Sequence, residues 1–465
     1  MNKRLEKDLN QFDDLLNKVK NRSCEFLNTL EQRPTSAPNS VKSDAYIPSK
    51  GIGTKETLAL FLEKFDTSIV SSSGPRYWGF VTGGSTPASI AGDWLASVYD
   101  QNTQSVNGHG DISAVIEIET IKMFLEFFDL SDDFLGGFVT GATMSNFTCL
   151  GVARQWLGKE FGLDIAKQGM LKQMKVLSAT PHSSAVKSLG MLGMGSNSII
   201  KVQTLPDNRE AIDMKDLEKQ IVSLKEEPFI LISSAGTVNS ADFDDFVQIN
   251  KLKQKYNFWW HIDAAFGGFA TCSSKYKHLV KDWEFADSIT IDNHKWLNVP
   301  YESAFYLIKE KYKYLQIETF QNSNAPYLGD PLENFNYLNF LPENSRRLRA
   351  LPAWFTLMAY GKEGYKDIVE NSVDMAQKFG SFINKSEDFE LLCPVRLNTV
   401  CFTLSNNHEE ASAFLNELNA SGKVFMTPTV YNDKNGIRAA FVNYRTTQAD
   451  LEIVMDEMNE ILKNK

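Results

Sequence analysis

No stretch of the chain approaches the roughly 18 consecutive apolar residues that make a membrane-spanning helix. Its start, MNKRLEKDLNQFDDLL, alternates charge with leucine and lacks the apolar core of a secretory leader. Both absences lead to the expectation of a cytoplasmic protein. Cysteine is scarce and scattered: Cys24, Cys149, Cys272, Cys393 and Cys401 are odd in number and form no C-x-x-C pair. That argues against a disulfide framework or a zinc site and for buried thiols. Positive charge is in deficit, with 48 Lys and Arg against 58 Asp and Glu and a net charge of −10. The basic footprint of a nucleic-acid binder and the basic face of a peripheral membrane protein are both missing, so neither partner is expected. None of the six histidines forms a ligand-spaced pair with cysteine, and no metal is expected. P-loop, G-x-G-x-x-G, H-E-x-x-H and G-x-S-x-G signatures are absent as well; GVARQWLGKE has too long a gap and ends in glutamate.

What remains is 465 residues with 43% hydrophobic and 23% charged content, ordinary globular usage and enough chain for about two or three domains. Leu5, Leu9, Phe12, Leu16 and Val19 recur at helical spacing, so an amphipathic helix is expected to pack on the body or on a partner subunit. A loop rich in proline, serine and asparagine follows, from Pro34 to Pro48. From about residue 136, the runs GFVT, KVLSAT, IIKVQTL, FILISSA, FWWHIDAA and DSITID read as strands. Helical segments such as Met144 to Gly158 and Phe246 to Tyr256 lie between most of them. The alternation predicts an α/β fold with a large, mainly parallel sheet covered on both faces. Past Ser345 a long helix leads into a smaller α/β unit. Its last helix opens on Thr447 and Asp450, which resemble a capping box, and carries Leu451, Val454, Met458, Ile461 and Leu462 on one face. The expected division is an arm over 1–75, a large domain over 76–345, and a long helix with a small C-terminal domain over 346–465.

The chemistry-bearing text is HIDAAFGG (His261 to Gly268) and, about thirty residues on, SITIDNHKWLNVP (Ser288 to Pro300). Both follow predicted strand ends, where parallel sheets hold ligands. Asp263 closes an apolar strand with Phe258, Trp259 and Trp260, and a carboxylate there needs a cationic or hydrogen-bonding partner. A protonated pyridine nitrogen would serve. Lys295, beside His294 and Trp296, sits where an apolar setting favours a nucleophilic amine. An aspartate for a ring nitrogen and a lysine for a Schiff base are the two groups that a pyridoxal phosphate site requires.

HIDAAFGG and DNHKWLNVPY resemble the signatures of the group II pyridoxal-phosphate-dependent amino-acid decarboxylases, which include aromatic-L-amino-acid, histidine, glutamate and diaminobutyrate decarboxylases. The resemblance runs from GPRYWGFVTGGSTPASIAGDWLASVYDQN to IRAAFVNYRTTQADLE. It implies the type I, aspartate-aminotransferase-like fold, a homodimer with shared active sites, pyridoxal 5'-phosphate as cofactor and a small-molecule L-amino acid as substrate. Lys295 takes the place of the Schiff-base lysine, Asp263 that of the partner of the pyridine nitrogen, Ala265 the small residue under the ring, and His182 the histidine stacked over it. TGATMSN (Thr140 to Asn146) matches the phosphate turn, with Ala142 and Thr143 as binding residues. Family members more often read S-G-G-S-E-A-N, so Ala142 and Met144 are departures. His294 and Asp292 match residues near the phosphate, and Thr237 one near the ring or substrate carboxylate. The family's catalytic acid is a tyrosine on a mobile loop. Counting back from Arg346 and Arg347 favours Tyr337, with Tyr327 second. Pro75, Arg76, Tyr77, Trp78 and Phe80 match a segment of the substrate pocket, and their aromatic content tilts the expected substrate toward an aromatic amino acid. Other reactions of the same fold stay open: transamination, which would use an arginine such as Arg438 for the substrate carboxylate, carbon–carbon cleavage, oxidative deamination, or a silent cofactor-binding homologue.

Overall fold

The computed structural model describes residues 1–37, 46–106, 111–321, 335–405 and 407–463. Its main sheet contains β1 (Phe134–Val139), β2 (Val176–Ser178), β3 (Ile199–Lys201), β4 (Phe229–Ser234), β5 (Phe258–Asp263), β6 (Ser288–Asp292) and β7 (Ala304–Lys309), in the order β1-β7-β6-β5-β4-β2-β3. The first six fall on the apolar runs read from the sequence. The neighbours among β2 to β6 pair in parallel. β7 runs antiparallel to both β1 and β6, because the turns over residues 293–303 contain no crossover helix that could return the chain in the parallel sense. β4 to β7 are buried at every position, which explains why they read as continuous apolar runs without alternation. Helices Ala142–Glu160, Ser183–Met191, Met214–Ser223 and Phe246–Lys255 connect the strands, and the core lies on both faces of the sheet.

A second, antiparallel sheet is built from β8 (Phe389–Leu391), β9 (Thr399–Leu404), β10 (Thr427–Tyr431) and β11 (Lys434–Ala440), in the order β10-β11-β9-β8. Asn432 and Asp433, with φ of 48° and 63°, make the two-residue turn of the β10–β11 hairpin, a geometry these residue types tolerate. The helix Ala350–Lys385 packs on helices Pro87–Tyr99 and Ser113–Phe127, and also on β8 and β9. It is two helices joined at Gly361, whose φ is 56°. In the last helix, Gln448–Lys463, Asp450 accepts from the Thr447 N–H at 2.9 Å and from its hydroxyl at 2.8 Å. Leu451, Val454, Met458 and Ile461 are buried there.

At the N-terminus the expected single helix is two, Lys3–Asn10 and Phe12–Asn28, broken at Gln11. The apolar stripe does not pack on the body: Leu5, Leu9, Phe12, Leu16 and Val19 are 42 to 56% exposed. Among the described residues no helix is long and apolar enough to cross a membrane.

Candidate active site

In-register parallel strands deliver their C-terminal residues to one sheet edge, and Ser234 of β4, Asp263 of β5 and Thr290 of β6 stand side by side there. Around this edge lies a cavity of about 640 Å³ lined by residues including Gly141, Ala142, Thr143, His182, Asp263, Ala265, Asp292, His294 and Lys295.

Asp263 is buried, and its carboxylate is met by donors. Oδ2 accepts from Asn146 Nδ2 at 3.0 Å, and Oδ1 from the Ala265 N–H at 3.2 Å. Asn146 also donates to Ser184 Oγ at 3.1 Å, and its Oδ1 lies 2.9 Å from His261 Nε2. Ser184 in turn meets His182 Nδ1 through its hydroxyl at 2.7 Å and its N–H at 3.2 Å. One asparagine thus ties the carboxylate on the cavity floor to the histidine on its wall. Since the Ser184 N–H donates to Nδ1, the neutral His182 carries its proton on Nε2. Enclosure by the cavity walls holds His182 below the usual histidine value. Asp263 opposes that shift, and the charges of Lys295 and Arg438 reinforce it.

His261, fully buried behind Asp263, is pushed down to about 4 by burial. It is neutral in the fold, while the unfolded chain takes up a proton below about 6.5. Stability contributed by the neutral ring is therefore complete above pH 6.5 and lost as the pH falls toward 4, by about 1.4 kcal/mol per unit or about 3 kcal/mol in all. The expected result is a fall in the urea unfolding midpoint between pH 7.5 and 4.5 that is clearly smaller in His261→Gln. An equal fall in both proteins would exclude His261 as the source.

Lys295 lies in the turn after β6, with Nζ 3.4 Å from Asp292 Oδ2 and 5.6 Å from the Phe266 ring centroid. A glycine fixes the backbone of this turn from below: a Cβ on Gly83 would stand 1.7 Å from the Lys295 carbonyl oxygen. The segment holding Gly83 is pinned on both sides, since the Gly83 N–H donates to His294 O at 3.3 Å, the Trp78 N–H to Phe425 O at 2.9 Å, and the Ala440 N–H to Trp78 O at 2.9 Å. Phe80 and the β-branched Val81 have φ of 56° and 60° there, strain of the kind held at ligand sites.

The cavity suits a phosphorylated pyridine. At its rim the helix Ala142–Glu160 begins; Met144 and Ser145 donate to Gly141 O at 2.9 and 3.0 Å, leaving the N–H groups of Ala142 and Thr143 without an intrahelical acceptor. Such a helix start favours an anion. His294 Nδ1 and Asp292 Oδ1 are buried without a hydrogen-bond partner among the described residues, although they lie 3.2 Å apart. Burial lowers the pKa of His294, with Asp292 opposing. Asp292, expected near a phosphate, lines the same cavity and also pairs with Lys295 through Oδ2.

Tyr337 departs from expectation. It is 1% exposed, in the core beneath β1, with its hydroxyl 3.3 Å from Gly136 O and the Arg346 guanidinium 4.6 Å from its ring centroid. Burial raises its pKa far above the usual tyrosine value. A ring so enclosed neither lines the cavity nor sits on a mobile loop. Tyr327 lies outside the described residues. Thr237 lines the cavity, but its hydroxyl is committed to Glu210 Oε2 at 2.5 Å and to the Asp242 N–H at 3.0 Å. Of the five early pocket residues, Phe80 alone lines the cavity. Tyr77 stacks on Phe425 at 4.7 Å, Trp78 is buried, and Arg76 pairs with Asp450 at 2.7 Å. Arg438 does reach the cavity, as does Glu210, which no sequence pattern marks. Asn146 closes the quoted phosphate motif, yet nothing in its spacing foretold the bridge to Asp263 and Ser184.

The family model of the pyridoxal-dependent decarboxylase conserved domain matches residues 60–405. An aromatic-L-amino-acid decarboxylase of Bacillus atrophaeus is 28% identical over 454 residues, covering 93% of this chain and 91% of that relative. An L-2,4-diaminobutyrate decarboxylase of Acinetobacter baumannii is 26% identical over 379 residues, covering 77% and 73%. The crystal structure of Oryza sativa TDC with PLP and tryptamine superposes with a TM-score of 0.88 at 18% identity, covering 97% of this chain and 98% of that one. The fold is thus the type I fold that the sequence motifs implied. Matched over most of its length, the chain belongs to the pyridoxal-dependent decarboxylase family, enzymes that release carbon dioxide from amino acids with pyridoxal phosphate as cofactor.

Proposed function

We propose that the cavity holds pyridoxal 5'-phosphate through Lys295 and Asp263 and converts an aromatic L-amino acid to its amine and carbon dioxide. The observation that carries this is the convergence of Lys295, Asp263, His182 and an unpaired helix start on one cavity. When bound, the cofactor supplies an electron sink for the charge left at Cα as carbon dioxide departs. Asp263, fixed by Asn146 and the Ala265 N–H, keeps a proton on the ring nitrogen. His182 and Ala265 bound the slot for the ring, and Ala265 has no side chain that would displace it. The N–H groups of Ala142 and Thr143, with His294, take the phosphate. Asp292 orients the Lys295 amine across 3.4 Å. Phe80 at the cavity supports an apolar, planar substrate side chain, as do the aromatic-L-amino-acid decarboxylases among the relatives. The reading is tested by incubating the holoenzyme with each of the twenty amino acids and measuring carbon dioxide against keto acid. Keto acid without carbon dioxide would overturn it.

Burial of Tyr337 supports Tyr327 as the acid that returns a proton to Cα. A positioned general acid contributes on the order of 100-fold to 10,000-fold. Tyr327→Phe is expected to lose amine formation on that scale, with aldehyde as the diverted product. Tyr337→Phe is expected to keep amine as its product with less than about a tenfold change in rate. The reverse pattern in an amine and aldehyde assay would restore Tyr337.

We further propose a cytoplasmic homodimer, divided into an arm over 1–75, a cofactor domain over 76–345 and a small C-terminal unit over 346–465. The exposed stripe of Leu5, Leu9, Phe12, Leu16 and Val19 supports dimerisation through the arm, since so contiguous an apolar face calls for cover. Light scattering is expected to give the mass of two chains, and that of one chain for the double variant Leu9→Asp, Phe12→Asp. A monomeric parent protein would overturn this part.

A further inference from the structure

Trp259, His261 and Asp263 are alternate residues of β5, so their side chains leave the strand on one face. Ser288 of β6 stands in register with His261, and Asn146 of the helix Ala142–Glu160 meets both His261 and Asp263. The cofactor gives Asp263 its task, but it gives none to the groups behind: Trp259, Ser288 and His261 do not line the cavity. They nevertheless form a continuous chain of hydrogen bonds that ends on the Asp263 carboxylate.

Both ends of that chain have a fixed sense, because an indole N–H only donates and an ionised carboxylate only accepts. Trp259 Nε1 donates to Ser288 Oγ at 2.9 Å. The Ser288 hydroxyl lies 2.9 Å from His261 Nδ1, and His261 Nε2 lies 2.9 Å from Asn146 Oδ1. Asn146 Nδ2 donates to Asp263 Oδ2 at 3.0 Å and to Ser184 Oγ at 3.1 Å. Since an amide oxygen only accepts, Nε2 carries the His261 proton and Nδ1 accepts from the Ser288 hydroxyl. Trp259, Ser288, His261 and Asn146 are all 0% exposed, so no solvent replaces a missing partner. Turning the Asn146 amide over would set its oxygen against the carboxylate unless Asp263 took up a proton. His261 would then present an Nδ1–H to Ser288 Oγ, which already accepts from Trp259, and the Ser288 proton would lose its acceptor. The other donor to Asp263 among the described residues, the Ala265 N–H at 3.2 Å, is main chain and has no such alternative.

We propose that His261 is a positioning residue for decarboxylation: through Asn146 Oδ1 it holds the Asn146 amide with its N–H bonds on Asp263 and Ser184. Asp263 is thereby kept ionised toward the ring nitrogen of the cofactor. Ser184, whose hydroxyl lies 2.7 Å from His182 Nδ1, is kept aimed at that histidine. His261 touches neither cofactor nor substrate, and its whole effect passes through one asparagine. This rests on the assignment of Asp263 to the ring nitrogen made above.

Two measurements test it without turnover. Imidazole NMR of the wild-type holoenzyme, with the His261 resonance identified by its loss in His261→Gln, is expected to show a neutral ring protonated on Nε2. A proton on Nδ1 would overturn the proposal, and this reading stands whether or not any other variant folds. The second uses holoenzyme reconstituted with pyridoxal phosphate labelled isotopically at the ring nitrogen. Asp263→Asn is expected to move that nitrogen signal from the protonated to the unprotonated position, and His261→Leu to move it the same way. His261→Gln, whose amide N–H replaces Nε2–H toward Asn146, is expected to return it to the position of the parent. A merely structural histidine would lower the urea midpoint of His261→Leu and leave the ring nitrogen protonated, which overturns the proposal. If Asp263→Asn leaves it protonated as well, the assignment of Asp263 fails and takes the proposal with it. Turnover gives a third reading. His261→Leu is expected to lose on the order of 10-fold to 100-fold in kcat, the scale on which outer partners of a site act, with little change in KM, and glutamine at the same position to recover most of the loss. Adding His261→Leu to Asn146→Ala is expected to cost less than about twofold more, since the link is already cut. Losses that multiply in the double variant would show that His261 does not act through Asn146, and so overturn the proposal.

Discussion

Replacing Lys295 with alanine is expected to lower carbon dioxide release by on the order of 1,000-fold to 100,000-fold, the equivalent of about 4 to 7 kcal/mol in the barrier. No other amine among the described cavity-lining residues can take its place: the remaining cationic side chains there are His182, His294 and Arg438, and none is a primary amine. The variant should still fold, because the Lys295 side chain has one polar contact, the 3.4 Å pair with Asp292. Its carbonyl, which faces Gly83, is untouched by the substitution. Borohydride reduction followed by mass spectrometry is expected to fix the cofactor covalently to residue 295 in the parent and to nothing in the variant. Covalent attachment surviving in Lys295→Ala would remove the residue from the mechanism.

Asp263→Asn is expected to cost on the order of 100-fold to 1,000-fold in kcat, the usual scale for removing one preorganised charge from a dry site. The substitution keeps shape and removes charge, so the loss should fall on the chemical step more than on cofactor retention. A second effect separates it from the lysine. Asn146 Nδ2 now donates to a carboxylate oxygen at 3.0 Å. In Asp263→Ala that donor loses its acceptor, and about 1 to 3 kcal/mol of stability should go with it. Asp263→Asn, whose amide oxygen can still accept, should be the milder of the two in a urea titration. Equal turnover in Asp263→Asn and the parent would refute the assignment.

What could be read from the sequence followed the physics of burial. β4, β5 and β6 are covered on both faces, so their apolar runs were continuous and bounded by turn residues, and their C-terminal ends located Asp263 and the lysine turn. AFYLIK, the run that became β7, is just as apolar, but strand direction depends on the connection and not on the run. The periodicity of Leu5 to Val19 was legible, whereas the break at Gln11 was not, since no proline or glycine marks it. Tyr337 was misplaced because counting back from Arg346 assumes a loop of fixed length. The tyrosine found that way lies under the same arginine, in the core. Glu210 and Asn146 left no signal at all. Their settings arise from side chains meeting across the fold, Glu210 with Thr237 and Ser240, and Asn146 with Asp263, His261 and Ser184, and no local spacing encodes such meetings.

The glycine beneath the lysine turn bears on the order in which the site is made. Gly83 and its neighbours are held by His294 on one side and by Phe425 and Ala440 on the other. A ribosome adding roughly 5–20 residues per second reaches position 440 some 20 to 70 seconds after it has passed position 79. During that interval the segment carrying Phe80 and Val81 is held only from the His294 side, without its partners Phe425 and Ala440. Contacts so distant along the chain are also the slowest to form. The large sheet can therefore assemble on the nascent chain, while the pocket that its strand ends define stays unfinished until the small sheet emerges.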